Sequence, residues 1–137
     1  CIAKQFWMPA LKSMTLQLRI CSVYLREDGI FSIEVVPNET FTLQDAHELR
    51  AAKVSLCGER PVPNLFMLHQ FSIPDHEARA FAASPESLKY RKAEAIVIQS
   101  FSQKMVANFY LRFNKPVVPT RVFNQVAPAL EWLKKYV

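Results

Sequence analysis

Apolar and polar positions along this chain fall into blocks whose period changes from two to about 3.6 and back, which assigns elements before composition is considered. Thr15 to Arg26 alternates weakly, with Leu16, Leu18, Ile20, Ser22 and Tyr24 on one side. Asp28-Gly29 follows, and Ile30 to Val36 reads as a second strand closed by Pro37-Asn38. Strand-like runs on both sides of Asp-Gly predict a β-hairpin. Thr42 and Asp45 then stand in capping-box spacing before a helix running to about Lys53, with Cys57-Gly58-Glu59-Arg60 as the turn out of it. Pro61 to His69 is a third strand, centred on Leu65-Phe66-Met67-Leu68. The strand–helix–strand succession predicts a parallel pair with a right-handed crossover. Ser72 and Asp75 repeat the capping spacing ahead of a helix that carries Ala78, Phe81 and Ala82 and stops near Ser84-Pro85; a short helical piece, Glu86 to Arg91, follows.

The most strongly patterned stretch is Ala93 to Phe113. Ala95-Ile96-Val97-Ile98 is a short β-branched run of the kind buried on both faces of a parallel sheet. Ser100 and Gln103 cap the helix after it. Phe101, Met105, Val106, Phe109, Tyr110 and Phe113 recur there at three- and four-residue steps as one broad apolar stripe. A helix lying on a sheet must bury such a face, so the stripe is expected to be core, with a ligand wall as the alternative. Past Asn114-Lys115-Pro116, Val117 to Phe123 is a fifth strand, which Pro119 places near an edge. Asn124 is the expected N-cap of a last helix with Val126, Leu130, Leu133 and Val137 on one face and Trp132 at its shoulder. The order is β-β-α-β-α-β-α-β-α: an α/β fold, with a mixed sheet of about five strands covered by about four helices.

At 137 residues, half of them hydrophobic, the chain can build one core, and residues 14–137 read as a single domain. Residues 1–13, CIAKQFWMPALKS, carry Phe6, Trp7, Met8 and Leu11 without periodicity. They form an arm that either packs across the domain or onto a second copy, or is non-native and disordered. Two glycines leave no material for phosphate-cradling loops or a turn-dense sandwich. No apolar run approaches the length of about 20 residues that spans a bilayer. Three cysteines, Cys1, Cys21 and Cys57, lack any C-x-x-C pairing, which points to reduced thiols in a cytoplasmic protein. Cys21 is expected to pack as a small hydrophobe. Cys1 is either the lipid-bearing first residue of a processed lipoprotein, or the result of trimming or of a start assigned ahead of Met14. Net charge is +5, and its densest basic cluster is Lys89-Tyr90-Arg91-Lys92, with a smaller pair at Lys134-Lys135. No nucleic-acid motif accompanies that charge, so it is read as a solvated linker and no nucleic-acid partner is expected.

Little chemistry is written into the rest. His47, His69 and His76 share no metal-ligand spacing, so neither metal nor cofactor is expected, and His47 and His76 read as surface residues. There is no G-x-S-x-G elbow, and Glu34, Glu39, Asp45, Glu48, Asp75 and Glu77 scatter over turns and helix starts, where capping accounts for them. No catalytic residues are assigned. One junction retains interest. His69 and Gln70 end the third strand at the sheet's carboxyl edge, and Ser72 and Asp75 follow at the next helix start. Ser72 is the candidate regulatory or phosphorylation position, since phosphate there would meet free helix amides; its plain role is that helix's N-cap.

This order of elements resembles the STAS domain, the fold of bacterial anti-sigma-factor antagonists and of the cytoplasmic tails of sulfate transporters. More closely, the C-terminal half is similar to small bacterial STAS-like (SpoIIAA-like) proteins through Ala95-Ile96-Val97, Asn114-Lys115-Pro116, Pro119-Thr120-Arg121-Val122-Phe123 and Ala129-Leu130-Glu131-Trp132-Leu133. The likeness covers about residues 15–137. Antagonists of that family keep a phosphorylatable serine in an Asp-Ser-x-Gly turn after the third strand. Here the turn reads Gln70-Phe71-Ser72-Ile73-Pro74, without the acidic neighbour or the glycine, so the kinase-recognition surface does not carry over. The resemblance implies a non-enzymatic regulatory or protein-interaction module, with a protein partner and a homodimer as expectations. The alternative is a binder of a small apolar ligand or lipid in a pocket between helix 100–113 and the sheet. An enzyme would need His69, Ser72 and a third group to converge.

Overall fold

Three residues, Glu27, Asp28 and Gly29, turn the first long hairpin. Arg26 N–H donates to the Ile30 carbonyl at 2.9 Å, and Gly29 takes φ 87°, which a side chain would strain. A Cβ on Gly29 would also lie 2.8 Å from Val137 Cγ1, so the glycine makes room for the C-terminal residue. In the computed structural model, which describes residues 15–137, this hairpin opens a six-stranded mixed sheet. Its strands lie in the order β1 (Leu16–Gln17), β2 (Cys21–Leu25), β3 (Phe31–Val35), β5 (Val62–Leu68), β7 (Arg91–Val97) and β8 (Thr120–Phe123). A separate parallel pair joins β4 (Thr40–Phe41) to β6 (Ile73–Pro74).

The first two neighbour pairs of the large sheet are antiparallel and the remaining three parallel, as the hairpin and the β-α-β pattern require. The single strand expected over Thr15–Arg26 is broken: the chain turns at Leu18–Ile20, so Leu16 folds back opposite Val23. That turn brings Arg19 to α1 (Leu43–Cys57), where it forms a bidentate pair with Asp45 at 2.9 and 2.6 Å. The Thr42–Asp45 capping box is present, and the helix runs on to Cys57, past the Lys53 expected, before Gly58 ends it with φ 74°. Strand β8 is an edge, where Pro119 placed it.

Helices cover both sheet faces. On one side lies α5 (Val126–Leu133), whose wholly buried Ala129 and Leu133 meet Ile30, Leu65 and Ala95, while Trp132 stands between Phe123 and Tyr136. The expected face of this helix is only partly right, because Val126 and Val137 are exposed and the buried positions are one turn apart between them. Asn124 does not cap it; Gln125 holds the N-cap position without a side-chain bond. On the other side lie α1, α2 (His76–Ala82), α3 (Pro85–Leu88) and α4 (Phe101–Phe109), the last continued by a π turn over Tyr110–Asn114.

Two further expectations are corrected here. The basic cluster is not a linker but the start of a central strand. Arg91 and Tyr90 are buried, and only Lys89 and Lys92 reach solvent. The apolar stripe of α4 is core only in part: Tyr110 is buried and Val106 half-buried, and the rest faces outward. Phe101 is 75 % exposed, Met105 58 %, Phe109 46 % and Phe113 62 %, whereas Gln103, Ala107 and Tyr110 point inward. Residues 1–13, and with them both alternatives for the arm and the readings of Cys1, lie outside the described residues. No helix among the described residues is long and apolar enough to cross a membrane.

Candidate functional site

The strand-to-helix junctions at the carboxyl edge of β3, β5 and β7 bring His69, Ser72, Gln99 and Gln103 together, and each has a structural partner. Parallel strands deliver successive junctions to one edge, so residues far apart in sequence meet there. His69 Nε2 lies 2.6 Å from Glu34 Oε2, and its Nδ1 is 3.2 Å from the Gln99 side-chain nitrogen. A carboxylate can only accept and an amide nitrogen only donate, so this pairing selects the imidazole with its proton on Nε2.

Ser72 is wholly buried and does not cap a helix. Its hydroxyl donates to the Val36 carbonyl and accepts from the Glu39 amide at 3.4 Å, tying the β5 exit to the end of β3. The expected helix starts three residues later, with Asp75 as its N-cap accepting from the Ala78 amide at 2.9 Å. The reason is Ile73-Pro74, which pairs as β6 with β4 and so holds the backbone extended where the capping pattern alone predicted a first turn. Gln70 is exposed and takes part only through its carbonyl, which accepts from the Asn38 amide at 2.8 Å. The Ser72 hydroxyl and the His69 ring therefore point to different partners. A phosphate on Ser72 would require its two interior bonds to break. His47 and His76 are on the surface.

Gln103 is the residue the pattern missed. Only 1 % exposed, it donates to the His69 and Ser72 carbonyls at 2.6 and 2.9 Å and accepts from the Gln99 amide at 2.7 Å. A side-chain amide offers both donor and acceptor, so one glutamine satisfies three backbone groups that the turn leaves buried. Its Ser-x-x-Gln spacing signalled a capping box, but only the serine half is made, Ser100 Oγ accepting from the Gln103 amide at 3.2 Å.

Beneath α4 lies a cavity of about 90 Å³ between α1, α2, the π turn and strands β5 and β7. Its walls are mostly apolar, and the polar side chains on it come from Asn64, Arg79, Ser87, Arg91, Glu94, Gln103 and Tyr110. Arg91 Nη2 donates to Ser87 Oγ at 2.8 Å, while Nη1 stands 3.6 Å from Glu94 Oε1, too far for a hydrogen bond. Among the described residues, Arg91 Nη1 and the Tyr110 hydroxyl have no hydrogen-bond partner although both are buried. Behind Asn64, Lys53 Nζ donates to the Val62 carbonyl at 2.8 Å and Asn64 Oδ1 at 2.5 Å. Burial, aided by Arg91 and opposed by Glu94, brings its ammonium down to about 7. Burial pushes the Cys21 thiol up to about 12 and raises Cys57 as well, which marks both as inert packing groups. No cluster of acidic, histidine or cysteine side chains suited to a metal occurs among the described residues.

The fold is shared with a crystal structure of an uncharacterised protein of the DUF3478 family from Shewanella loihica PV-4, described as having a SpoIIAA-like fold. The two are 17 % identical and align over 89 % of this chain and 92 % of that one with a TM-score of 0.54. That likeness establishes the STAS-like, SpoIIAA-like architecture expected from the order of elements. No curated protein matches the sequence. A domain of unknown function, DUF7793, matches residues 23–137, and the chain belongs to that family.

Proposed function

We propose that this domain is a non-enzymatic protein-interaction module that binds an acidic amphipathic segment of a partner protein along the outer face of α4. The observation that carries this is the row Phe101, Met105, Phe109 and Phe113, left in water on a helix whose inner face is already satisfied by Gln103, Ala107 and Tyr110. Rows of large apolar side chains at four-residue steps are the usual anchor of groove- and helix-binding partners. Charge selects the partner. No carboxylate side chain occurs between Glu94 and Glu131, while Lys104, Arg112, Lys115 and Arg121 do. Arg79 sits 5.7 Å from the Phe109 ring centroid and Arg112 the same distance from Phe113. Such a face repels a second copy of itself and attracts acidic residues flanking an apolar ridge.

The test is a photocrosslinking residue at Met105 in the full chain, compared with one at exposed Glu131 on the opposite sheet face. A heterologous protein adduct is expected at Met105 alone, lost on combining Lys104→Glu with Arg112→Glu. An adduct of twice the chain mass, or sedimentation with anionic vesicles without any protein adduct, would overturn it in favour of self-association or a lipid surface.

The cavity under α4 favours a second role, binding of a small molecule. A cavity between that helix and the sheet, with mostly apolar walls, supports this reading. Saturable shifts of the wall residues Ala78 and Ala107 in amide NMR spectra on addition of a small aryl compound would support it.

A further inference from the structure

The charges around the cavity do not cancel, and the remainder specifies a ligand class. This step rests on the small-molecule role above. Three charged side chains line the space: Arg79 from α2, and Arg91 and Glu94 from the central strand β7. Arg91 Nη1 stands 3.6 Å from Glu94 Oε1, so those two charges offset each other. Arg79 has no such partner. Its Nη1 donates to the Pro74 carbonyl at 2.6 Å, and its guanidinium lies 5.7 Å from the Phe109 ring centroid. No carboxylate among the described residues pairs with it. Nor does another buried group supply the missing negative charge. Asp45 is held by Arg19 at 2.6 Å, and burial keeps the Tyr110 phenol neutral by pushing it up to about 12. Lys53, bonded to Asn64 from behind, could only add positive charge.

The hydrogen-bond account points the same way. Arg79 Nε and Arg91 Nη1 are buried without a partner among the described residues, the latter on a side chain 6 % exposed. Other polar groups on the wall are taken. Ser87 Oγ accepts from Arg91 Nη2 at 2.8 Å, Asn64 Oδ1 accepts from Lys53, and the Gln103 amide is tied to the His69 and Ser72 carbonyls. A guanidinium edge with a free N–H fits a planar oxyanion, and the bond gains strength away from water.

Size and charge then limit the ligand. About 90 Å³ holds about three waters, or one planar group of about four heavy atoms. A cation would add to the excess charge, a neutral molecule would leave it in place, and a dianion would reverse it. Arg79 is half-buried and stands on the solvent side of the cavity, whereas buried Arg91 and Glu94 form its inner end. Glu94 repels a second negative charge beside it, which keeps an anion toward Arg79.

We propose that the cavity takes a small planar monoanion of the size of acetate, held between the Nε edge of Arg79 and Arg91 Nη1. Its apolar end lies against Ala78 and Ala107.

Three planar probes of equal size and different charge separate the alternatives on the full chain at fixed ionic strength: acetate, acetamide and acetamidinium. Each is titrated while the amide shifts of Ala78 and Ala107 and the Nε–H signal of Arg79 are followed, with benzene as an uncharged aryl comparison. Acetate is expected to saturate at a concentration about tenfold below acetamide, and acetamidinium to give no saturable shift. Arg79→Gln, at a half-buried position, is expected to weaken acetate about tenfold and leave acetamide unchanged. Acetamide or acetamidinium matching acetate, or undiminished acetate binding by Arg79→Gln, overturns the anion assignment while the pocket stands. Shifts with benzene alone overturn it in favour of an apolar ligand. Absence of saturable shifts with all four overturns the pocket itself and leaves water as its content.

Discussion

The two faces of the sheet are covered in opposite styles. Under α5 the contact is dry and hydrophobic: Ala129 and Leu133 press on Ile30, Leu65, Ala93, Ala95 and Val97, and the aromatic row Phe123, Trp132, Tyr136 closes one side. The opposite face buries the charges Asp45, Lys53, Arg91 and Glu94 and, at the carboxyl edge, Ser72 and Gln103, and α4 turns its largest apolar side chains outward. Both faces stabilise the fold by apolar area removed from water, the second over the larger cluster. The second also keeps polar groups inside at the cost of desolvation, and that is where the cavity, the tied junctions and the exposed aromatic row all occur. Function is expected where the folding rules are relaxed, and here they are relaxed on one side only.

The sharpest break of this contrast is Leu133→Ala. It empties a wholly buried position on the dry face and is expected to cost about 4 kcal/mol, read as a lower urea midpoint. Gln103→Leu comes next. It keeps the bulk but strips partners from the His69 and Ser72 carbonyls and the Gln99 amide, and is expected to cost about 3 kcal/mol by the same measurement. If Gln103→Leu were neutral, the polar network would be dispensable and the contrast between faces would fail.

A pH series probes the same face without mutation. The Lys53 ammonium is held down to about 7 in the folded chain against an ordinary 10.5, so the unfolded chain binds the extra proton between those values. Stability should therefore rise with pH across that window and be flat below about 7, by about 1.5 kcal/mol between pH 7 and 8.5. Cys21 and Cys57, whose thiols are raised, work in the opposite sense above about pH 9, where the unfolded thiols ionise first. Lys53→Met should remove the rise below pH 9; its persistence would assign the effect elsewhere. The smallest effect belongs to the outer row. Phe101→Gln and Met105→Gln are each expected to change stability by less than about 0.5 kcal/mol, because these side chains are already in water. A loss above about 2 kcal/mol would show that the row packs in solution after all.

Much of the site's environment was legible, and the places where it was not have one cause. Asp-Gly fixed the hairpin through Gly29, and the Thr42–Asp45 box fixed the start of α1, because both are local conformational preferences. The pattern also put His69 and Ser72 on the carboxyl edge. It misplaced Ser72 as a cap because the β4–β6 pairing that overrides it joins residues about 33 apart. It misread Arg91 because a charge in sequence looks solvated until Glu94 and Ser87 are seen beside it. Gln103 carried a signal, but for a local cap and not for a tie to a distant loop.

Alone, the sequence determined the order of elements, the hairpin, the parallel crossovers and the helix starts set by Thr42 and Ser100, since each depends on neighbours within a few positions. Only the tertiary structure decided which side of α4 faces the sheet. Hydrophobicity favoured burying Phe101, Met105, Phe109 and Phe113, but the neighbouring junctions present buried carbonyls that Gln103 satisfies. Backbone hydrogen-bond demand, set by chain segments far apart in sequence, outweighed apolar area and left the aromatic row facing outward.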